Sequence, residues 1–169
     1  MTFCHATPHD LSGIMSIIYD AQKLLANQHI DQWQNGYPSE SVILQDIKNN
    51  ECYVLKSEQN KLLATAMFST RREPTYSNIV GQWRTESNAK YGVIHRMAVA
   101  ENQRGKGLAK LIFARCEQHL LRDQITSMRI DTHEGNLAMQ QLLKQLNYCY
   151  CGVIYLLNGD KRLAFEKIF

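Results

Sequence analysis

Residues 104–109, Arg104-Gly105-Lys106-Gly107-Leu108-Ala109, place two cations and two glycines where a strand meets a helix. The apolar, β-branched run Val93–Val99 before them reads as a buried strand. Leu108, Leu111, Ile112, Cys116 and Leu120 after them recur at helical spacing. The first amides of a helix have no internal acceptor and sit at the positive end of its dipole. Gly105 and Gly107 let an anion approach the backbone with no Cβ in the way, and Arg104 and Lys106 add formal charge. The chemistry this suits is phosphate binding. No Gly-Lys-Ser/Thr follows and GxGxxG is absent, so neither a Walker loop nor a dinucleotide fingerprint is present. On its own the hexapeptide reads equally well as a phosphate cradle or as a charged turn joining a strand to a helix.

The elements that must position it can be read along the chain. Thr2–Ala6 is a first strand, and Thr7-Pro8 an N-cap followed by proline at N1. A helix follows with Leu11, Ile14, Met15, Ile18 and Leu25 on its apolar face. Gln28–Pro38 is an aromatic-bearing loop, and Ser39–Asn49 a second helix with Val42, Ile43 and Ile47 inward. Cys52–Ser57 and Leu62–Ser69 form a hairpin, and Thr70–Lys90 one long irregular stretch. Beyond the central unit come a strand at Ser127–His133 and a helix at Asn136–Leu146. Cys149–Leu157, an Asn158-Gly159 turn and Arg162–Ile168 make a closing hairpin. The order β-α-α-β-β-β-α-β-α-β-β implies an α/β (α+β) fold: a mixed, mostly antiparallel sheet with helices on both faces. With 169 residues and no linker, repeat or low-complexity tract, a single domain over 1–169 is expected.

Composition narrows the partners. A net charge of +3 with no Lys/Arg block gives little support to nucleic-acid binding. No apolar run approaches the ~20 residues that span a bilayer, and the amino terminus lacks a signal-peptide pattern, so no membrane role and a cytoplasmic location are expected. The 5 cysteines are an odd number in mostly apolar surroundings and are expected to be reduced, buried fillers. Cys149-Tyr150-Cys151 has the wrong spacing for a zinc knuckle, and no metal is expected.

The hexapeptide resembles the R/Q-x-x-G-x-G/A signature of the GNAT superfamily of acyl-CoA-dependent N-acetyltransferases, and the element order resembles that fold over nearly the whole chain. Asp131-Thr132-His133-Glu134-Gly135-Asn136, followed by Met139, Leu142 and Asn147-Tyr148, is similar to the family's strand-end Asn and following helix. The resemblance implies transfer of an acetyl group from acetyl-CoA to an amine. It implies pyrophosphate held by Arg104, Gly105, Lys106, Gly107, Leu108 and Ala109. It further implies a pantetheine arm paired with the backbone of Met97, Ala98 and Val99 and bonded to Asn136. A backbone N–H of that strand would serve the oxyanion. Asn136 can equally cap its own helix, and the two roles can coexist.

An alkyl amine is protonated at neutral pH and must lose a proton before it attacks. His95 is the preferred candidate to take it, because period-2 alternation puts it on one face with Met97 and Val99; a core histidine bonded to backbone is the alternative. His133 is the second candidate, with Asp131 able to orient either imidazole, and a plain strand-end polar residue is the other reading. Many family members carry a proton-donating Tyr seven residues beyond the motif Asn; here that position is Leu143, so no general acid is assigned. Trp33, Tyr37, Tyr76 and Trp83 are expected to wall a pocket for a cationic amine, or else to cover the core beneath two loops. No cysteine stands at the motif, so direct attack in a ternary complex is expected rather than an acyl-enzyme. The rival is a non-catalytic or weakly catalytic acyl-CoA-binding or sensing protein. The acceptor, the acyl length and the oligomeric state are not specified, although members of the family often form homodimers.

Overall fold

The computed structural model describes residues 1–169. Three antiparallel strands open the fold: β1 (Thr2–His5) pairs with β2 (Cys52–Lys56), and β2 with β3 (Leu62–Ser69). Helices α1 (Leu11–Asn27) and α2 (Glu40–Lys48) run between β1 and β2. One 3-10 turn, Pro8–Asp10, leads into α1; the Thr7 N–H and hydroxyl both donate to Asp10 Oδ2, at 2.9 and 3.0 Å. The apolar spacing read in α1 and α2 is realised in one cluster of Ile14, Met15, Ile18, Ile43 and Ile47 with Ala6, Cys52 and Val54. Each fully buried aliphatic side chain there contributes ~1.5–3 kcal/mol.

The remaining elements are β4 (Val80–Gly81), β5 (Gly92–Val99), α3 (Leu108–Arg122), β6 (Ser127–Thr132), α4 (Leu137–Gln145), β7 (Cys149–Tyr155) and β8 (Lys161–Ile168). The chain forms two compact units, Met1–Phe68 with His95–Arg115, and Ser69–Ile94 with Cys116–Phe169. In hydrogen-bonded order the first carries β1-β2-β3-β5 and the second β5-β6-β8-β7-β4, β5 contributing to both. Pairing of β6 with β8 and of β7 with β8 and β4 is antiparallel. The parallel pairing of β5 with β6 is short, Gly92↔Met128 and Val93↔Arg129. Gly92 is required there, since a Cβ would lie 2.5 Å from Leu120 Cδ1 of α3. Tyr76, Tyr91, Val93, Ile154 and Ala164 form a core of the second unit.

All four helices end alike. His29, Asn50, Gln124 and Asn147 each take a left-handed backbone just past a helix. The next N–H reaches back to the helix: Ile30 to Leu25, Glu51 to Asp46, Ile125 to Leu120 and Tyr148 to Leu143, at 2.9–3.0 Å. These are Schellman closures made without glycine, which is why sequence marks the ends poorly.

The expected element order holds with one addition. Thr70–Lys90 is not wholly irregular: it contains a 3-10 turn, Pro74–Asn78, and the two-residue β4. A two-residue strand is too short to show alternation, so no pattern announced it. The cysteines are all free, and Cys52, Cys116 and Cys151 are buried as expected. Cys149 is exposed and Cys4 half-buried, against expectation; β4 pairs only with Gly152 and Val153, so Cys149 lies beyond its cover. No helix is long and apolar enough to cross a membrane. No group of three or more His, Cys, Asp or Glu side chains is placed to hold a metal ion.

Candidate functional site

In the first unit β5 runs out at Val99, and a 3-10 turn, Glu101–Gln103, leads into the hexapeptide. Gly105 and Gly107 have φ +76° and +77°, where any other residue pays about 1–2 kcal/mol. The first bond of the α3 ladder runs from Leu111 N–H to Gly107 C=O at 3.1 Å, so no backbone acceptor serves the amides from Gly105 to Lys110. A Cβ built at either glycine meets nothing within 4 Å, which leaves open space over those amides. Arg104 Nη2 is buried and has no hydrogen-bond partner. A buried, unpaired guanidinium nitrogen is costly unless an anion completes it. Lys106 Nζ donates to Gln103 Oε1 at 3.3 Å and keeps its charge beside the turn. Leu108, Ile112 and Phe113 anchor the helix start in the core. An orphaned cationic nitrogen, unpartnered amides and a cradle that a Cβ would fill fit the diphosphate of a CoA thioester. Gly107→Ala is therefore expected to fold, with a Tm a few degrees lower, and to bind acetyl-CoA at least tenfold more weakly by isothermal titration; unchanged affinity would remove Gly107 from the cradle.

Upstream on β5, His95 and Met97 are half-buried and Ala98 is buried. His95 does not share one regular strand face with Met97 and Val99. Arg96 lies between His95 and Met97 with φ +51°, so regular period-2 alternation does not carry across it. The Arg96 guanidinium is fully engaged: Nε and Nη2 donate to Asp46 Oδ2 and Oδ1 at 2.7 and 2.8 Å, and Nη1 donates to the Tyr37 hydroxyl at 2.7 Å. Burial pushes the Asp46 carboxyl upward in pKa, and Arg96 and then His95 pull it back. Tyr37 is 43% exposed, and Trp33 on the same loop is half-buried with φ +64°.

In the second unit Tyr76, expected to wall an acceptor pocket, is 2% exposed and belongs to the core. Its hydroxyl donates to Asp131 Oδ1 at 2.7 Å, and burial, then Asp131, pushes its pKa well up. Trp83 is half-buried; its indole N–H donates to the Tyr76 carbonyl, and Arg129 lies 4.4 Å from its ring centroid. That π face is occupied by the protein's own cation. Asp131 Oδ1 accepts from the Tyr76 hydroxyl. His133 Nδ1 accepts the Gly135 N–H at 2.9 Å. That bond engages Nδ1 in the turn before α4. Asn136 caps α4, its Oδ1 accepting from Met139 N–H at 3.1 Å.

Leu143 is fully buried, so the position where the family resemblance led to an expected proton-donating Tyr faces the core. Tyr148 does not replace it: the phenol is buried, donates to Glu117 Oε1, and is pushed up in pKa by burial and then Glu117. Burial also pushes the Cys52 and Cys151 thiols up to about 11 and Cys116 higher, so these three are thiols at neutral pH and poor nucleophiles. Sequence reasoning missed Arg96 and Asp46. The one available signal was a lone arginine inside an apolar strand, and its partner stands 50 positions away.

The chain matches the Acetyltransferase (GNAT) family over residues 18–148, and it belongs to that family. A GNAT-family acetyltransferase from Streptococcus agalactiae is 33% identical, with TM-score 0.90 over 99% of this chain and 95% of that one. A GNAT-family acetyltransferase from Listeria monocytogenes shares the fold at 19% identity and TM-score 0.77, covering 99% of this chain and 94% of that one. So does a phosphinothricin acetyltransferase from Sinorhizobium meliloti in complex with AcCoA, at 14% identity and TM-score 0.69, over 99% and 88%. No curated protein matches the sequence.

Proposed function

We propose that residues 1–169 act as one N-acetyltransferase domain that transfers an acetyl group from acetyl-CoA to a primary amine by direct attack in a ternary complex. The observation that carries this reading is the buried, unpartnered Arg104 Nη2 beside the left-handed glycines at the start of α3. Family membership and the AcCoA complex of the Sinorhizobium enzyme support the choice of anion. Acetyl-CoA, when bound, supplies the activated thioester. Arg104, Gly105, Lys106, Gly107, Leu108 and Ala109 hold its diphosphate, and the backbone of Met97, Ala98 and Val99 pairs with its pantetheine amides. One N–H of Met97–Val99 stabilises the charge that develops on the acetyl oxygen, an effect worth ~3–4 kcal/mol in acyl-transfer sites. His95 takes the proton from the attacking amine. Trp33 and Tyr37 border the acceptor; Tyr76 drops out because it is core, and Trp83 because its ring is covered by the buried Arg129.

The buried Leu143 favours one other reading, an acyl-CoA binder with little or no turnover. CoA-thiol release with a panel of primary amines separates the two. The enzyme reading expects turnover that falls at least a hundredfold in His95→Ala while acetyl-CoA affinity is kept. Affinity without turnover in wild type would establish the binder.

A further inference from the structure

Arg96 is the only non-glycine residue inside any of the eight strands with a left-handed backbone. Such a conformation persists only where the surroundings over-determine it. Here they do so through the side chain, because all three guanidinium nitrogens are engaged, on two different segments. Two of them make a fork on Asp46 of α2, which is 5% exposed. That fork alone would satisfy the buried carboxylate. The third nitrogen goes instead to the Tyr37 hydroxyl on a residue 43% exposed, where a hydrogen bond adds little to stability.

What the third bond does is fix a loop. Residues 28–39 join α1 to α2 and turn back on themselves through left-handed His29, Trp33 and Gly36. Beyond the closure of α1 and the Ser39 carbonyl that opens α2, polar contacts from Gln22 and Arg96 also hold the loop. Gln22 Nε2 donates to the Tyr37 carbonyl at 2.9 Å, and Gln34 Nε2 donates to the Gln22 carbonyl at 3.2 Å. Both of these anchors lead to α1. Arg96 ties the loop to β5, next to His95 and directly before Met97–Val99.

We propose that Arg96 is a positioning residue that fixes the acceptor-side loop 28–39 on β5 through the Tyr37 phenol, and so sets amine binding without contacting the amine. This rests on the acetyltransferase reading above for what the loop does, but not for the clamp itself. Arg96 is suited to the task because its planar fork binds a carboxylate and a hydroxyl at once, which a lysine cannot do.

Hydrogen exchange by mass spectrometry tests the clamp, on wild type, Arg96→Ala and Tyr37→Phe. Amides of 28–39 are expected to exchange about tenfold faster in both variants, the loss of one charge-assisted bond. Amides of α2 are expected to speed up in Arg96→Ala alone, and the Tm of Tyr37→Phe to stay within two degrees of wild type. With n-butylamine as the acceptor, Tyr37→Phe is expected to raise the amine KM about tenfold and leave the acetyl-CoA KM unchanged. Wild-type exchange rates across 28–39 in Tyr37→Phe would overturn the proposal and leave Arg96 as the partner of Asp46 alone. If acetyl-CoA fails to bind wild type, the acetyltransferase reading falls, and the exchange rates still decide the clamp.

Discussion

Glu166→Ala is expected to destabilise the protein by ~3–5 kcal/mol, the range for breaking a buried ion pair from one side. Glu166 is fully buried on β8 and gathers the loop before β5. It accepts from the N–H groups of Arg84 and Thr85, the Thr85 hydroxyl, the Ser127 hydroxyl at 2.6 Å and Arg129 Nε at 2.9 Å. Arg129 is 3% exposed and lies between Tyr91 and Trp83, 4.0 and 4.4 Å from their ring centroids. Removing the carboxylate leaves that guanidinium with no charged partner. At 2–4 °C per kcal/mol for a chain of this size, the Tm should fall by about 6–20 °C.

The pH dependence has a definite sign. Burial raises the Glu166 pKa, but the bonds from Ser127, Thr85 and Arg129 outweigh it, and the net shift is downward from the ordinary 4.5. Its folded-state pKa therefore lies below its unfolded one. The stability it contributes is present above the unfolded value and is lost as pH falls through the folded value. Urea denaturation should show the wild type and Glu166→Ala far apart at pH 7 and converging below about pH 4, near the unfolded pKa. A variant within 1 kcal/mol of wild type at pH 7 would mean that the cluster does not hold the 83–85 segment.

Arg104→Ala is expected to weaken acetyl-CoA binding by about 10- to 100-fold, the equivalent of one charge-assisted hydrogen bond. The same substitution should leave the ligand-free protein as stable as wild type, or more so. Arg104 Nη2 is buried without a partner, so in the absence of an anion it opposes folding. A residue that costs stability and returns affinity is one kept for binding. Calorimetric titration and an apo melting curve read the two halves independently. Unchanged affinity together with a lower apo Tm would make Arg104 a scaffold residue.

The glycine-bearing turn into α3 and the element order were legible because they depend on local signals. Two glycines between cations at a strand–helix junction, and apolar spacing in α1 and α3, carry their meaning within a dozen residues. What was not legible depends on distant partners or on unusual backbone. Alternation from His95 along β5 breaks at Arg96, whose φ of +51° is stabilised by Asp46 and Tyr37, far away in sequence. Tyr76 looked like a loop aromatic; Asp131, 55 positions on, and the ring of Tyr91 make it core. The Gly135 N–H that engages His133 Nδ1 comes from a turn that no strand pattern announces. The helix ends hid because His29 and Gln124 do there what glycine usually does.

The most direct measurement is a thermal-shift titration of the wild-type protein with acetyl-CoA. A saturable rise in Tm is expected, corresponding to ~2.7 kcal/mol at a hundred times Kd. The rise should shrink in Arg104→Ala at the same ligand concentration. No shift at millimolar acetyl-CoA would contradict the assignment of the α3 amino terminus as a CoA cradle, and with it the acetyl-transfer reading.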